Sequence, residues 1–367
     1  MDRDIRRMSS PVGARVRIDG REVDYFCGTS YFGLHGHPLV IDAACAAAQK
    51  YGIGPATAAS TPAHEEVIER TCRFFGTKTV TYVASGYLGP MLLTQALRED
   101  YDVAFADCAS HYSVLDALRA AAKEVVLFRH LDPDDLARQL ALRLRPGQRP
   151  LVLTDGVFPS TGAMAPLSAY AAVLDAYPRS LLCVDDAHAV GVIGTTGRGS
   201  FEYHGLEGDG IYFCGTLSKA FGGAGGMVPG DRALEAKIRK FSHIPAGASA
   251  ASAPAAAAAA MGMRLLEEHP EMRRQLWDNV WRMRAGLRAA GFDLADTPIP
   301  IVSLPGAPSL DLRRVCDALD REDLVVLYVP PRGYSDAPDV ESLRIAVFST
   351  HTTEQIDRLV DGIRRAL

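Results

Sequence analysis

The chain has 367 residues, 48% hydrophobic and 23% charged, with a net charge of −5. That length and balance describe a globular protein with a sizeable core, room for one large domain and a smaller one, and no basic surplus that would point to nucleic acid or an anionic membrane. No run of about 18 apolar residues suggests a membrane span, and the opening "MDRDIRRMSS" lacks the apolar stretch of a secretory signal.

Residues 14–27 alternate in polarity around Asp19-Gly20, which predicts a hairpin. Helices are predicted over 37–50 and over "TPAHEEVIERTCRFFG", where Thr61 can cap, Pro62 suits the first turn and Gly76 can end it. Strand-like and helix-like pieces then alternate. "TVTYVAS" precedes a helix over 88–97, "DVAFAD" precedes "SVLDALRAAAK", "EVVLFR" precedes "PDDLARQLALRL", and "PLVLTDGVF" precedes "PLSAYAAVLDAY"; "SLLCVDDAH" and "GIYFCGT" follow. Short apolar runs separated by helices predict a mainly parallel sheet covered on both faces. After Pro245 the texture changes. An alanine-rich stretch reads as a tightly packed helix start; long helices and the strand-like "PIVSLPG", "LVVLYVP" and "SLRIAVFS" then predict a smaller α+β domain, closed by a helix from Thr353. The expected division is an N-terminal arm (1–45), a large domain (46–245) and a small C-terminal domain (246–367). The seven cysteines are scattered, with no C-x-x-C pair. This suits free thiols in a reducing cytoplasm and gives no zinc pattern.

In an open α/β sheet, ligand groups gather at the carboxyl ends of strands. Four predicted strands end in chemically suggestive residues: Ser85-Gly86-Tyr87, His111 shortly after Asp107, Asp185-Asp186-Ala187-His188, and Thr216-Leu217-Ser218-Lys219. They offer a phosphate cradle, an aromatic ring, a carboxylate, an imidazole and an amine. Pyridoxal phosphate asks for that set: an amine for its aldehyde, a carboxylate for its pyridine nitrogen, and N–H and hydroxyl groups for its phosphate. Asp185, Asp186 and His188 can also be read as a metal site, but no further cluster completes it. Lys219 can be read as a solvated charge, His111 as an ordinary loop histidine, and Arg344 as a surface charge beside a strand. Gly222, Gly223, Gly225 and Gly226 read as turn and close-packing positions. His64, His130 and His351 read as structural, and Asp186 as a cap.

Seven motifs, in order over nearly the whole chain, carry a family resemblance: "SYFGL" (30–34), "ASGYL" (84–88), "SHYSVLDA" (110–117), "TDGVFPSTGAMAPL" (154–167), "VDDAHAVGVIGTTGRGS" (184–200), "GTLSKAFGGAGG" (215–226) and "SLRIAVFSTHTTEQIDRL" (342–359). With them the chain resembles the α-oxoamine synthases, fold-type-I pyridoxal phosphate enzymes that include 8-amino-7-oxononanoate synthase, glycine C-acetyltransferase, 5-aminolevulinate synthase and serine palmitoyltransferase. The resemblance implies an aspartate aminotransferase-like α/β fold with a mainly parallel seven-stranded sheet and a smaller C-terminal α+β domain. It implies that Lys219 carries pyridoxal 5'-phosphate and moves protons, and that Asp185 pairs with the pyridine nitrogen. His188 is placed near the phenolic oxygen and His111 on the ring face. Gly86, Tyr87 and Thr216 are placed at the phosphate, with Ser249 reaching it across a dimer interface. Arg344 is to bind the substrate carboxylate, with Thr29 nearby.

The implied reaction condenses a small α-amino acid, glycine or another, with an acyl thioester, coenzyme A- or carrier-bound, to an α-amino ketone. The expected protein is a cytoplasmic homodimer with shared sites and no metal, nucleic-acid or membrane partner. An aldolase, lyase or aminotransferase of the same fold, or a catalytically inactive regulatory subunit, are the other readings. The chain departs from the family pattern where Thr29 and Ser30 replace the usual Asn-Asp, at Pro90 and Pro159, and over 51–64, which is shortened. The cofactor-facing residues are nearly intact, with Pro159 standing where the family usually has a serine that contacts the cofactor, while the substrate-facing residues have changed.

Overall fold

The computed structural model describes residues 6–54, 59–206, 208–307, 310–333 and 339–367. Part of the altered 51–64 segment, residues 55–58, lies outside the described residues. Asp19 and Gly20 take φ of 51° and 80°, and join β1 (Arg15–Ile18) to β2 (Arg21–Tyr25). Two central residues at positive φ suit the twist of a tight hairpin.

After helices Pro38–Tyr51 and Pro62–Phe75 comes the main sheet. Its strands are β3 (Thr79–Val83), β4 (Val103–Asp107), β5 (Glu124–Phe128), β6 (Pro150–Asp155), β7 (Leu181–Asp185), β8 (Ile211–Thr216) and β9 (Gly226–Gly230). They lie in the order β3-β9-β8-β7-β6-β4-β5. From β8 to β5 all neighbours are parallel, while β9 runs antiparallel to both of its own. Every residue of β4, β6 and β7 is buried, as a sheet covered on both faces requires. Ala104 and Ala106 pack with Leu92, Leu115 and Leu118 on one face, and Val103 and Phe105 with Leu136, Leu140 and Tyr170 on the other.

Two elements differ from the sequence expectation. The stretch "GMVPG" is a strand, although glycine and proline disfavour strands. Pro229 is tolerated because β8 pairs β9 only at Met227 and Gly226, so no second ladder needs its missing N–H. The run "LVVLYVP" is not one strand. It divides into β11 (Leu324–Val325), which runs parallel to β2, and β12 (Leu327–Val329). With β10 (Ile301–Pro305) and β13 (Ser342–Ala346), β12 forms an antiparallel sheet in the order β10-β13-β12. The N-terminal hairpin is thereby joined to the C-terminal part of the chain.

The alanine-rich segment is helix Ala253–Glu268, with Ala256, Ala259, Ala260 and Gly262 buried. A Cβ at Gly262 would stand 1.7 Å from the Phe221 carbonyl oxygen, and one at Gly223 would stand 2.4 Å from Ala259 Cα. The small side chains of the helix therefore let the loop after Lys219 lie directly on it. Among the described residues no helix is long and apolar enough to cross a membrane.

Candidate active site

The carboxyl ends of the parallel strands converge on one cavity of about 130 Å³. Asp155 and Asp185 are register partners at the ends of β6 and β7. Thr216 ends β8, and Ser85-Gly86-Tyr87 leads from β3 into helix Gly89–Ala96. His111 caps helix Tyr112–Ala120. These residues line the cavity together with Ser113, His188, Ser218 and Lys219.

Hydrogen bonds fix the acidic side of the cavity. Asp185 Oδ2 accepts from Ser113 Oγ at 3.1 Å, and its Oδ1 accepts from the Ala187 N–H at 3.2 Å. Ser113 Oγ also lies 2.8 Å from His111 Nδ1, while the His111 N–H donates to Asp155 Oδ2 at 2.8 Å. Burial, then the charge of Asp185, hold the Asp155 carboxyl well above the ordinary aspartate range. Burial pulls the Lys219 amine down from 10.5 to about 8; Asp185 and Asp155 oppose that shift and Arg344 adds to it. His188 is buried and held well below the usual imidazole range by desolvation first and the Lys219 charge second, so it is neutral. Its Nδ1 lies 2.7 Å from the hydroxyl of the buried Tyr31. Burial likewise lowers His111.

Arg344, 1% exposed on β13, stands beside the cavity. Its Nε donates to the Pro159 carbonyl at 2.6 Å and its Nη1 to the Gly28 carbonyl at 3.4 Å, next to Thr29. The acceptor for Arg344 at Pro159 is a backbone carbonyl, which any residue would offer. One departure from the family pattern has a local reason: Pro90 sits in the first turn of its helix, where no N–H is needed. Ser30 Oγ contacts His35 Nδ1 at 2.6 Å, and His35 Nε2 contacts the Ser218 carbonyl at 3.0 Å, so Ser30 steadies the Lys219 loop.

Several predicted residues lie elsewhere. Ser249 is exposed, ahead of helix Ala253–Glu268, and takes no part in this chain's cavity wall. Asp186 points away and accepts from the Ser200 N–H and Oγ at 2.8 and 2.6 Å, and burial pushes it up to about 7. His351 stacks on Phe26 with ring centroids 4.1 Å apart, His130 contacts Asp107, and His64 bridges Thr61 to the Ala251 carbonyl. Among the described residues no group of three or more His, Cys, Asp or Glu side chains could hold a metal ion, and all seven cysteines are free. Asp155, Ser113 and Tyr31 are in or beside the site although no role was read for them in the sequence. Their signal was position alone, inside "TDGVF", "SHYSV" and "SYFGL".

The aminotransferase class I and II family matches residues 26–363. An 8-amino-7-oxononanoate synthase from Thioalkalivibrio sulfidiphilus is 34% identical over 95% of this chain and 90% of its own. One from Coprothermobacter proteolyticus is 29% identical over 97% and 91%. Among solved structures, a serine palmitoyltransferase from S. paucimobilis with bound PLP-myriocin aldimine superposes with a TM-score of 0.91 at 28% identity, covering 100% of this chain and 93% of its own. Sequence motifs, sheet order and these matches agree: the chain belongs to the aminotransferase class I and II family and is one of its pyridoxal-phosphate-dependent α-oxoamine synthases.

Proposed function

We propose that the cavity holds pyridoxal phosphate on Lys219, and that the protein condenses a small α-amino acid with an acyl thioester, releasing a thiol and yielding an α-amino ketone. The observation that carries this reading is the convergence of Lys219, Asp185, His188, His111 and Thr216 on one cavity at the strand ends. The donor set fits the cofactor: an amine of lowered basicity, a carboxylate with two oriented oxygens, and hydroxyls and a helix start on the opposite wall. When bound, pyridoxal phosphate supplies the electron sink that makes the α-carbon of an amino acid nucleophilic.

The chain's own groups do the rest. Asp185, aimed by Ser113 and the Ala187 N–H, would present its carboxylate to the ring nitrogen. Neutral His188 meets the phenolic oxygen and His111 forms the flat wall. The Gly86 and Tyr87 N–H groups and Thr216 Oγ1 take the phosphate. Arg344, positioned by the Pro159 and Gly28 carbonyls, is the cation for the substrate carboxylate, with Thr29 adjacent. Lys219 Nζ removes and returns the α-proton. Among relatives, 8-amino-7-oxononanoate is itself a ketone with an amine on the adjacent carbon, and a serine palmitoyltransferase joins palmitoyl to serine. The same bond is formed here.

Arm 1–45, large domain 46–245 and small domain 246–367 form the working division. The large domain supplies the cavity and the small one Arg344. A cytoplasmic homodimer completes it, with Ser249 of one protomer reaching its partner's phosphate. The test is thiol release from an acyl thioester. It should require an amino acid and vanish in Lys219→Ala. Release of a keto acid without thiol would instead identify an aminotransferase.

A further inference from the structure

A second cavity, of about 300 Å³, lies between the loop Ser160–Ala163 and the strands β10, β12 and β13. Its strand wall adjoins Arg344 through β-sheet register. Ser303 and Leu327 are register partners of Arg344, and Pro305 and Val329 are partners of Ser342, two residues along the same strand. Directly paired residues share a face, so Ser303 brings the cavity wall to about 5 Å from Arg344. Its far side is the loop whose Pro159 carbonyl Arg344 holds.

We infer that this cavity seats the acyl group of the thioester donor, an inference that rests on the acyl-transfer reading above. The walls are mostly apolar, with Val302, Val329, Pro330, Val340 and Leu294 among them. Two charged residues also line it: Asp293, and Arg284, whose Nη1 and Nη2 donate to the carbonyls of Ala295, Ile299 and Ile301. The wall also carries two buried polar atoms without a hydrogen-bond partner, Arg284 Nε and Ser160 Oγ. Ser160 is 5% exposed, and its Oγ has no hydrogen-bond partner. Buried hydroxyls are normally paired, and an acyl carbonyl or a polar chain substituent supplies an acceptor at that point. At roughly 30 Å³ per water-sized group, the volume takes about ten non-hydrogen atoms, which suits an acyl chain of intermediate length. The amino acid is held on the other side of Arg344, so the two substrates meet across one guanidinium.

The test uses the holoenzyme with acetyl-, hexanoyl- and octanoyl-coenzyme A, following thiol release and, separately, calorimetric binding of octanoyl-coenzyme A. Ser303→Phe, which fills the cavity, should lower the octanoyl-to-acetyl ratio of kcat/KM at least tenfold and weaken octanoyl-coenzyme A binding by a similar factor. Ser160→Ala, too small a change to disturb folding, should raise KM for the longer donors about fivefold, the loss of one neutral hydrogen bond. An unchanged chain-length profile in both variants overturns the cavity assignment and leaves acyl transfer standing. Absence of thiol release from every donor by the parent protein overturns the acyl-transfer reading, and this assignment with it.

Discussion

The amine of Lys219 is the group on which every step of the proposed chemistry depends, and its environment makes a quantitative claim. Burial lowers its pKa from 10.5 to about 8. Near neutral pH the free amine is therefore about 300-fold more abundant than on an ordinary lysine. Covalent uptake of pyridoxal phosphate by cofactor-stripped protein should rise with pH to a midpoint near 8. Arg344→Gln removes a cation that depresses the amine, so its midpoint should move up; Asp185→Asn removes a carboxylate that supports the charge, so its midpoint should move down. The same shift sets a stability term of known sign. The unfolded lysine keeps its proton up to about 10.5, while the folded one releases it near 8. Between these values the unfolded chain binds more protons, so stability rises with pH across that window, and the penalty is full below it. Lys219→Met apoprotein should thus be more stable than the parent by about 1–3 kcal/mol at neutral pH, after discounting for partial solvent access, with the gap closing as pH rises. The assays are the pH dependence of the uptake rate and urea unfolding at two pH values. An uptake midpoint close to 10.5 would refute the claim that burial activates this amine.

Three other outcomes are expected. Asp185→Asn should keep the fold, because an amide can still meet both Ser113 and the Ala187 N–H, but lose about 2–4 kcal/mol of transition-state stabilisation, roughly 30- to 1000-fold in kcat; turnover near the parent value would show that the carboxylate is misassigned. Gly262→Ala forces a Cβ to within 1.7 Å of the Phe221 carbonyl and should cost about 2–3 kcal/mol in urea unfolding; an unchanged midpoint would mean that the loop after Lys219 does not bear on this helix. Sedimentation should show a dimer, and Ser249→Ala should weaken cofactor retention about tenfold, the loss of one charged hydrogen bond; a fully active monomer excludes a shared site.

Most elements were legible in the sequence because each strand of the main sheet is a short apolar run closed by a turn or a helix start. The two exceptions have physical causes. β9 carries no apolar run, since Gly226 and Gly225 must lie against Ser85, Gly86 and Tyr82, and close backbone approach outweighed strand propensity there. The run Leu324–Val329 is uniformly apolar, and nothing in its side chains says that one half pairs with β2, near the start of the chain, and the other with the nearby β13. Pairing partners are a property of the assembled fold, and local pattern does not encode them.

The same distinction runs through the site. Lys219, Asp185, His188, Thr216 and Gly86 could be picked out because each follows a strand directly, so a one-dimensional rule about strand ends finds them. Asp155 also ends a strand, yet it passed unnoticed because its significance comes from standing in register with Asp185 and from holding the His111 N–H. Tyr31 acts on His188 from 157 positions away. Arg344 was legible as a cation in a motif, but its anchoring on the carbonyls of Pro159 and Gly28 was not. Chemistry-bearing groups on the cofactor side are therefore written locally. The surface around Arg344 forms only where β13 meets the loop at Pro159, so no local pattern in either segment reveals it. If the proposed acyl cavity is correct, the amino acid and the acyl donor are specified by different parts of the chain that meet at Arg344, and a change of acyl partner need not alter the strand ends that carry Lys219 and Asp185.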